Sequence, residues 1–386
     1  MKLGFIVFFG IFIALFAAIN FYVGYRGWQA FGKQFSPSAA KLYWVIFFLV
    51  AFSYLIGRVL ERAMPGAFSA AVTVFGSYWL GAMFYFFWLL LVVDLVRVCN
   101  HWLHFVPAAL SPAAAGLAVV ILVAGIMVYG VWNARHPRWR SYDIVIPKTA
   151  GSIQQLHMVM VSDIHLGLIV NNGRLRTLIE QINARNPDLV IFAGDTIDED
   201  VGPFIEQKMP EMLQRLHPRY GSYAIFGNHE YIGGNAEEAE TLYTDSGITV
   251  LRDRWVKVAE QIYLVGRDDR SRSRYNGGPR LPLAQVMQGV DRTHPIILLD
   301  HQPFGLEDGE SQGADLQLSG HTHHGQMFPN NLITERIFAQ DWGYLRKGAF
   351  QLIVSCGYGT WGPPIRTGNT PEALDIQLHF TGSAPK

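Results

Sequence analysis

The chain is 386 residues long and carries 31 Lys and Arg against 31 Asp and Glu, so its formal net charge is zero. That balance excludes a globally basic nucleic-acid binder, and two cysteines, Cys99 and Cys356, exclude a disulfide framework. The positive mean hydropathy comes from the first third: residues 1–134 are mostly apolar and aromatic, whereas 135–386 have a soluble composition and hold most of the acids and histidines.

Four apolar runs come first, roughly 3–25, 42–60, 70–93 and 113–132. Each approaches or exceeds the ~20 residues that cross a bilayer core. Polar punctuation separates them, from Lys33 to Pro107, and Trp28, Trp44, Trp102 and Trp132 sit near run ends as interface anchors do. The first run follows Lys2 as a signal peptide would, but it is too long for one and Asn20-Phe21-Tyr22 is a poor cleavage site. It is expected to stay as a helix. Four spans put both ends on one side, with Lys2, Arg58, Arg62, Arg135, Arg138 and Arg140, against Arg26, Lys33, Lys41 and Arg97 on the other. The excess predicts a cytoplasmic soluble part. Asp94 is expected to pair with Arg97 at the membrane surface. The stretch 133–140 interleaves Arg135, His136, Arg138 and Arg140 with Trp139 and reads as a collar on anionic headgroups. The expected organisation is a transmembrane region at 1–134, an interfacial linker at 135–155 and a soluble domain at 156–380.

In the soluble part, Leu156–Ser162 reads as a central strand ending in Asp163-Ile164-His165. Residues two apart on an extended chain point the same way, and a carboxylate with an imidazole suits Zn, Mn or Fe. A helix over 172–186, with Leu175, Leu178, Ile179 and Ile182 on one face, leads to a strand over 188–193 that ends in Gly194-Asp195. A right-handed crossover would bring Asp195 to the same sheet edge as Asp163. Asp198, Glu199 and Asp200 read as a solvated acidic loop, and 203–216 as a second crossover helix.

The third strand, 222–226, ends in Gly227-Asn228-His229-Glu230. Glycine lets the backbone turn close to a ligand, Asn228 offers an amide oxygen, and His229 could be a ligand, a proton donor or a phosphate contact. A helix over 236–246, a strand over 247–250 and a hairpin formed by 255–258 and 261–265 follow. The loop 266–274 holds four arginines and reads as a mobile charged surface loop or an anion cap. Strand 295–299 precedes Asp300-His301, and strand 314–319 runs into Gly320-His321-Thr322-His323-His324-Gly325; 351–355 and 374–380 are later strands. Five strand tips thus carry metal-competent groups, which implies one shared site.

The ordered set Asp163-x-His165, Gly194-Asp195, Gly227-Asn228-His229-Glu230, His301 and Gly320-His321-Thr322-His323 resembles the calcineurin-like metallophosphoesterase superfamily over about 156–380. Together with the downstream Cys356-Gly-Tyr-Gly-Thr-Trp-Gly stretch, it looks most like the bacterial membrane-associated subgroup, which includes YkuE-type enzymes and a UDP-2,3-diacylglucosamine pyrophosphohydrolase form. The resemblance implies an α+β fold, an αββα sandwich of two mixed sheets flanked by helices. It implies two divalent metal ions (Mn, Fe or Zn): Asp163, His165 and His323 around one, Asn228, His301 and His321 around the other, Asp195 between them, and His229 as the catalytic histidine that is not a ligand. The implied reaction is hydrolysis of a phosphoester or pyrophosphate bond by a metal-activated water. The expected partners are the bilayer and a phosphorylated lipid or lipid-linked substrate, with no nucleic acid, and the expected location is the bacterial inner membrane. His324 stands where many relatives have Gly. The rival expectation is a membrane sensor or scaffold that binds a ligand without turnover.

Overall fold

The computed structural model describes residues 3–32, 36–104, 111–275 and 277–382. Lys2, Lys33 and Pro107, which entered the reading of the spans, lie outside them. The chain forms two compact units, one of residues 1–132 with 362–365 and one of 133–361 with 366–386.

In the first unit, α1 (Leu3–Phe31), α4 (Ala67–Leu103) and α5 (Pro112–Ala134) are long and apolar enough to cross a membrane. The second expected span is instead a bent pair, α2 (Pro37–Ala51) and α3 (Ser53–Ala63), turned by 58° at Phe52. Among the described residues, three helices are thus long and apolar enough to cross, or four if the bent pair counts as one span. Backbone groups freed at such a break need other partners in lipid, and the Ser53 hydroxyl donates to the Val50 carbonyl at 2.7 Å. The buried Asn20 is paired: Trp79 Nε1 donates to Asn20 Oδ1 at 3.0 Å, and Asn20 Nδ2 to the Phe16 carbonyl at 2.9 Å. Asp94 meets Arg97 at 3.5 Å, but its shorter contacts are to Arg26 and Tyr22, both 2.6 Å.

The second unit is built on two six-stranded mixed sheets. In chain order the strands are β1 (Arg138–Ile146), β2 (Gln155–Val161), β3 (Leu189–Ala193), β4 (Ser222–Ile225), β5 (Ile248–Val250), β6 (Arg254–Val258), β7 (Ile262–Gly266), β8 (Ile296–Leu299), β9 (Leu316–Ser319), β10 (Gly343–Lys347), β11 (Phe350–Val354) and β12 (Glu372–Phe380). One sheet runs β1-β12-β2-β3-β4-β5 and the other β10-β11-β9-β8-β7-β6. Alternation decides the layers. Leu156, Met158 and Met160 of β2 meet Leu264, Ile297 and Leu318 of the other sheet in a shared core. Val159 and Val161 face a helical layer made by Leu175, Leu178, Ile179 and Ile182 of α6 (Asn172–Asn183). Both faces of β2 are buried from Met158 onward, and residues 158–161 are all apolar.

Shorter helices complete the unit: α7 (Gly202–Glu206), α8 (Met209–Leu213), α9 (His229–Ile232), α10 (Ala236–Asp245), α11 (Leu283–Val286), α12 (Leu306–Ser311) and α13 (Asn331–Ile337). Three expectations are corrected. The 135–155 linker contains β1, paired in parallel along its length with β12. The helix expected over 203–216 is split into α7 and α8 by Lys208, which adopts φ 53°. The arginine-rich segment is ordered, with a 3₁₀ turn at Arg270–Tyr275, and its cations have local partners: Arg267 with Asp300 at 3.4 Å and Arg272 with Asp268 at 3.3 Å.

Candidate metal centre

The strands stop short of the site. β2 ends at Val161 and β9 at Ser319, and the functional side chains follow in turns. Asp163, His165, Asp195, His321 and His323 all have φ between 48° and 73°. Non-glycine residues in that left-handed region cost about 1–3 kcal/mol each. The common direction of Asp163 and His165, and of His321 and His323, therefore does not come from strand pleating as expected. It comes from left-handed residues that alternate along each turn. Cross-turn hydrogen bonds hold them: Asp163 N to the Gly194 carbonyl and His165 N to the Asp195 carbonyl, each 3.0 Å, and Gly320 N to the His301 carbonyl, 3.0 Å. Two glycines permit the close approach. A Cβ on Gly227 would collide with the Asp195 carboxylate, and one on Gly320 with that of Asp163.

The side chains converge in overlapping groups, within each of which the ligand atoms lie within 4.8 Å of one another: Asp163, His165 and His323; Asp195, His301 and His321; and His165, Asp195 and His229. Within them His301 Nε2 lies 3.1 Å from Asp195 Oδ2, His323 Nε2 3.5 Å from Asp163 Oδ1, and the Nε2 atoms of His165 and His323 are 3.1 Å apart. His301 Nδ1 donates to the Ala193 carbonyl at 2.7 Å, which turns Nε2 toward the carboxylates. His321 N donates to both oxygens of Asp163, at 2.9 and 3.1 Å, and His229 N to Asp195 Oδ1 at 2.8 Å.

Burial opposes charge here, yet specific neighbours decide the outcome. Burial would raise the Asp195 pKa, but His301, His229 and His165 hold it well below the usual carboxylate range. Burial lowers that of His323 well below the usual imidazole value, with His165 and Arg366 acting in the same direction, and burial with His301 lowers that of His321. The protein alone thus presents an ionised Asp195 and neutral His321 and His323, the states that ligate cations. Burial would lower the His301 pKa, but Asp195 holds it well above the usual imidazole value, so this ring must shed a proton to ligate.

Several buried polar atoms also lack a hydrogen-bond partner: Asn228 Oδ1, His165 Nδ1, His229 Nδ1 and His301 Nε2. Buried polar atoms are seldom left so, and their gathering between carboxylates fits divalent cations. His323 adds a condition. Arg366 Nη2 lies 3.2 Å from His323 Nδ1 and can only donate, so ligation through Nε2 requires that the ring shed a proton or turn.

The sequence reading missed two residues. Asp198, assigned to a solvated loop, places Oδ1 3.5 Å from His165 Nδ1 and 3.3 Å from His229 Nδ1. These contacts fall outside hydrogen-bond geometry and act chiefly by charge. Glu230 lies beneath the centre and accepts from the backbone N–H groups of Asp195, Thr196, Ile197 and Gly227 and from the Tyr243 hydroxyl, at 2.7–3.2 Å. The only sequence hint was spacing, since Asp198 follows Asp195 by three residues and Glu230 follows Gly227 by three. Trp361, 53% exposed, stands edge-on to the His229 ring at 5.8 Å. His324 is turned away to Asp341, 2.7 Å, and Trp342.

Residues 156–325 match the family model for calcineurin-like phosphoesterases. A Danio rerio protein described as a transmembrane protein with metallophosphoesterase domain is 33% identical over 271 residues, covering 67% of this chain and 61% of its own length. The chain thus spans less than two thirds of that relative. An uncharacterized metallophosphoesterase of Aquifex aeolicus is 31% identical over 232 residues, 59% of this chain and 87% of that protein. The uncharacterized metallophosphoesterase YkuE of Bacillus subtilis is 30% identical over 234 residues, 58% and 79% respectively.

Proposed function

The chain belongs to the calcineurin-like metallophosphoesterase family, and from that premise we propose that it is a membrane-anchored hydrolase of phosphoester or pyrophosphate bonds in a membrane lipid or lipid-linked substrate. The observation that carries this reading is the convergence of Asp163, His165, Asp195, His301, His321 and His323 into overlapping donor groups. Asp163, His165 and His323 would hold one divalent cation, Asn228, His301 and His321 the second, and Asp195 would lie between them, its charge offsetting their repulsion. Manganese, iron and zinc all suit this donor set. Bound there, the pair would supply an activated water and neutralise charge on the phosphoryl oxygens.

The protein's own groups do the rest. Asp195 and Asp198 keep the His229 ring charged, so His229 can give a proton to a phosphoryl oxygen or to the leaving oxygen. Trp361 offers an apolar wall beside that ring, suited to a substrate with an acyl or other apolar part. Membrane-length helices in the same chain support a substrate drawn from the bilayer. The reading places the protein in a bacterial cytoplasmic membrane with the hydrolase on the cytoplasmic side. A non-hydrolytic scaffold is disfavoured by the complete donor set.

The test is hydrolysis of an aryl phosphodiester by the full-length protein in detergent, with Mn, Fe or Zn supplied in turn. Turnover that requires the cation and vanishes in Asp195→Asn is expected. Folded protein that turns over nothing with any of them overturns the hydrolase. Comparing lipid extracts of cells with and without the protein identifies the substrate class.

A further inference from the structure

Two features remain outside the metal centre: the basic stretch at the start of β1, and His324. The fold brings them together. Arg138, Trp139, Arg140, His324, Trp342, Gly368, Asn369, Thr370 and Glu372 line a pocket of about 280 Å³. β1 is the edge strand of its sheet, and residues two apart on a strand share a face, so Arg138 and Arg140 reach the same pocket.

One wall is a layered stack. The Trp342 ring has the His324 imidazole against it, centroids 5.0 Å apart and 28° from parallel, and the Arg140 guanidinium 4.6 Å from its centroid. Glu372 ties the stack, accepting from Arg140 Nε and Trp342 Nε1, each at 3.1 Å, and from the Cys356 N–H at 3.0 Å. It is buried and its oxygens are engaged. Asp341, behind His324, is likewise occupied by His324 Nδ1 at 2.7 Å and by the Thr334 hydroxyl at 2.8 Å. Arg138 differs: it is exposed, lines the pocket, and its guanidinium has no side-chain partner among the described residues. The acids are spent inward, while one whole guanidinium stays available.

We propose that this pocket is a second, non-catalytic binding site for a phosphate-bearing anion, held by Arg138 with Arg140. A guanidinium offers paired N–H donors that match phosphate oxygens, and Arg140 is already fixed by Trp342 and Glu372, so little freedom is lost on binding. The volume lies near the lower end of the ~300–1,000 Å³ typical of small-molecule sites. It suits a headgroup or free phosphate rather than a whole lipid. The pocket also borders the centre through hydrogen bonds. Asn369 Nδ2 donates to the carbonyls of His323 and His324 at 2.6 and 3.0 Å, and Asn369 Oδ1 accepts from Arg366 Nη1 at 2.6 Å. Arg366 in turn touches His323. An anion in the pocket therefore rests on the turn that carries a candidate ligand.

The test uses the full-length protein in a nonionic detergent, stripped of cations with EDTA, so that phosphate cannot be held through them. Calorimetric titrations compare inorganic phosphate, dihexanoyl phosphatidic acid and uncharged dihexanoylglycerol. Saturable binding of phosphate assigns the site to the free anion as well, and binding of phosphatidic acid alone assigns it to lipid headgroups; either supports the proposal. Arg138→Ala should weaken binding about tenfold or more, the worth of a charge-assisted pair, with Arg138→Lys restoring part of it. Binding of neither anion, equal binding of dihexanoylglycerol, or affinity indifferent to Arg138→Ala but abolished by Asp195→Asn overturns it.

Discussion

Asp198 Oδ1 sits 3.3 Å from His229 Nδ1, and this pairing helps set the charge of the ring. Burial pushes the His229 pKa down, but the carboxylates of Asp195 and Asp198 outweigh it and hold it up at about 9. In cation-free protein, NMR of the imidazole should find His229 titrating at about 9, and Asp198→Asn should bring it down toward the ordinary ~6.5. Because the folded pKa is the higher one, the ring's contribution to stability is complete below ~6.5 and is lost as pH rises through about 9. An unmoved titration in Asp198→Asn contradicts the pairing.

The same substitution should cost activity without removing a ligand. Outer partners of a metal centre typically contribute about 10–100-fold in affinity or rate. We expect Asp198→Asn to lower kcat by that order while metal analysis still finds cations bound. Unaltered kcat would return Asp198 to the solvated loop of the sequence reading.

Asp195 and His229 should separate in the opposite sense. Asp195→Asn removes the charge between the two donor groups and should cut metal content together with turnover. His229→Ala should leave metal content near that of the unmodified protein and reduce kcat by about 10²–10⁴, the usual contribution of general acid catalysis. Loss of cations in His229→Ala would make that ring a ligand.

Glu230 is a matter of stability. Replacing it with Ala strands the four backbone N–H groups and the Tyr243 hydroxyl that it now accepts from. Each buried donor left alone costs about 1–3 kcal/mol, so a loss of at least ~3 kcal/mol and a fall of about 6–12 °C in apparent Tm is expected. Scanning fluorimetry of the full chain measures it, and a fall of a degree or less removes Glu230 from this role.

The proposed cytoplasmic placement of the C-terminal unit, argued from the basic residues flanking the apolar runs, makes a prediction. A fluorescent protein fused after Lys386 should fold and fluoresce, and alkaline phosphatase at the same point should stay inactive. The reverse pattern would put the hydrolase outside.

Much of the site was legible because its residues lie just past strands that announce themselves. Apolar runs such as Leu156–Val161 and Ile296–Leu299 mark buried strands, and the groups that follow them gather at one edge. What stayed hidden is what depends on distant partners. β1 begins Arg-Trp-Arg and leaves that end exposed, so nothing local distinguishes it from a basic linker; only β12, more than two hundred residues away, makes it a strand. Asp198 looked like its acidic neighbours because its meaning lies in two imidazoles brought to it by other turns. The bend at Phe52 interrupts an unbroken apolar run, which hydropathy alone reads as one straight span.

The pairing of β1 with β12, and of β12 with β2, sets an order of events. The strand that joins the two earliest strands of this unit, β12, is the last of these twelve to be made. Until Glu372–Phe380 emerges, nothing joins β1 to β2 in one sheet, and both keep an open edge during synthesis. The N-terminal helices can enter the bilayer long before this closure. The nascent unit therefore waits, half-zipped, for β12, and a stop codon shortly before Glu372 would leave that seam open for good.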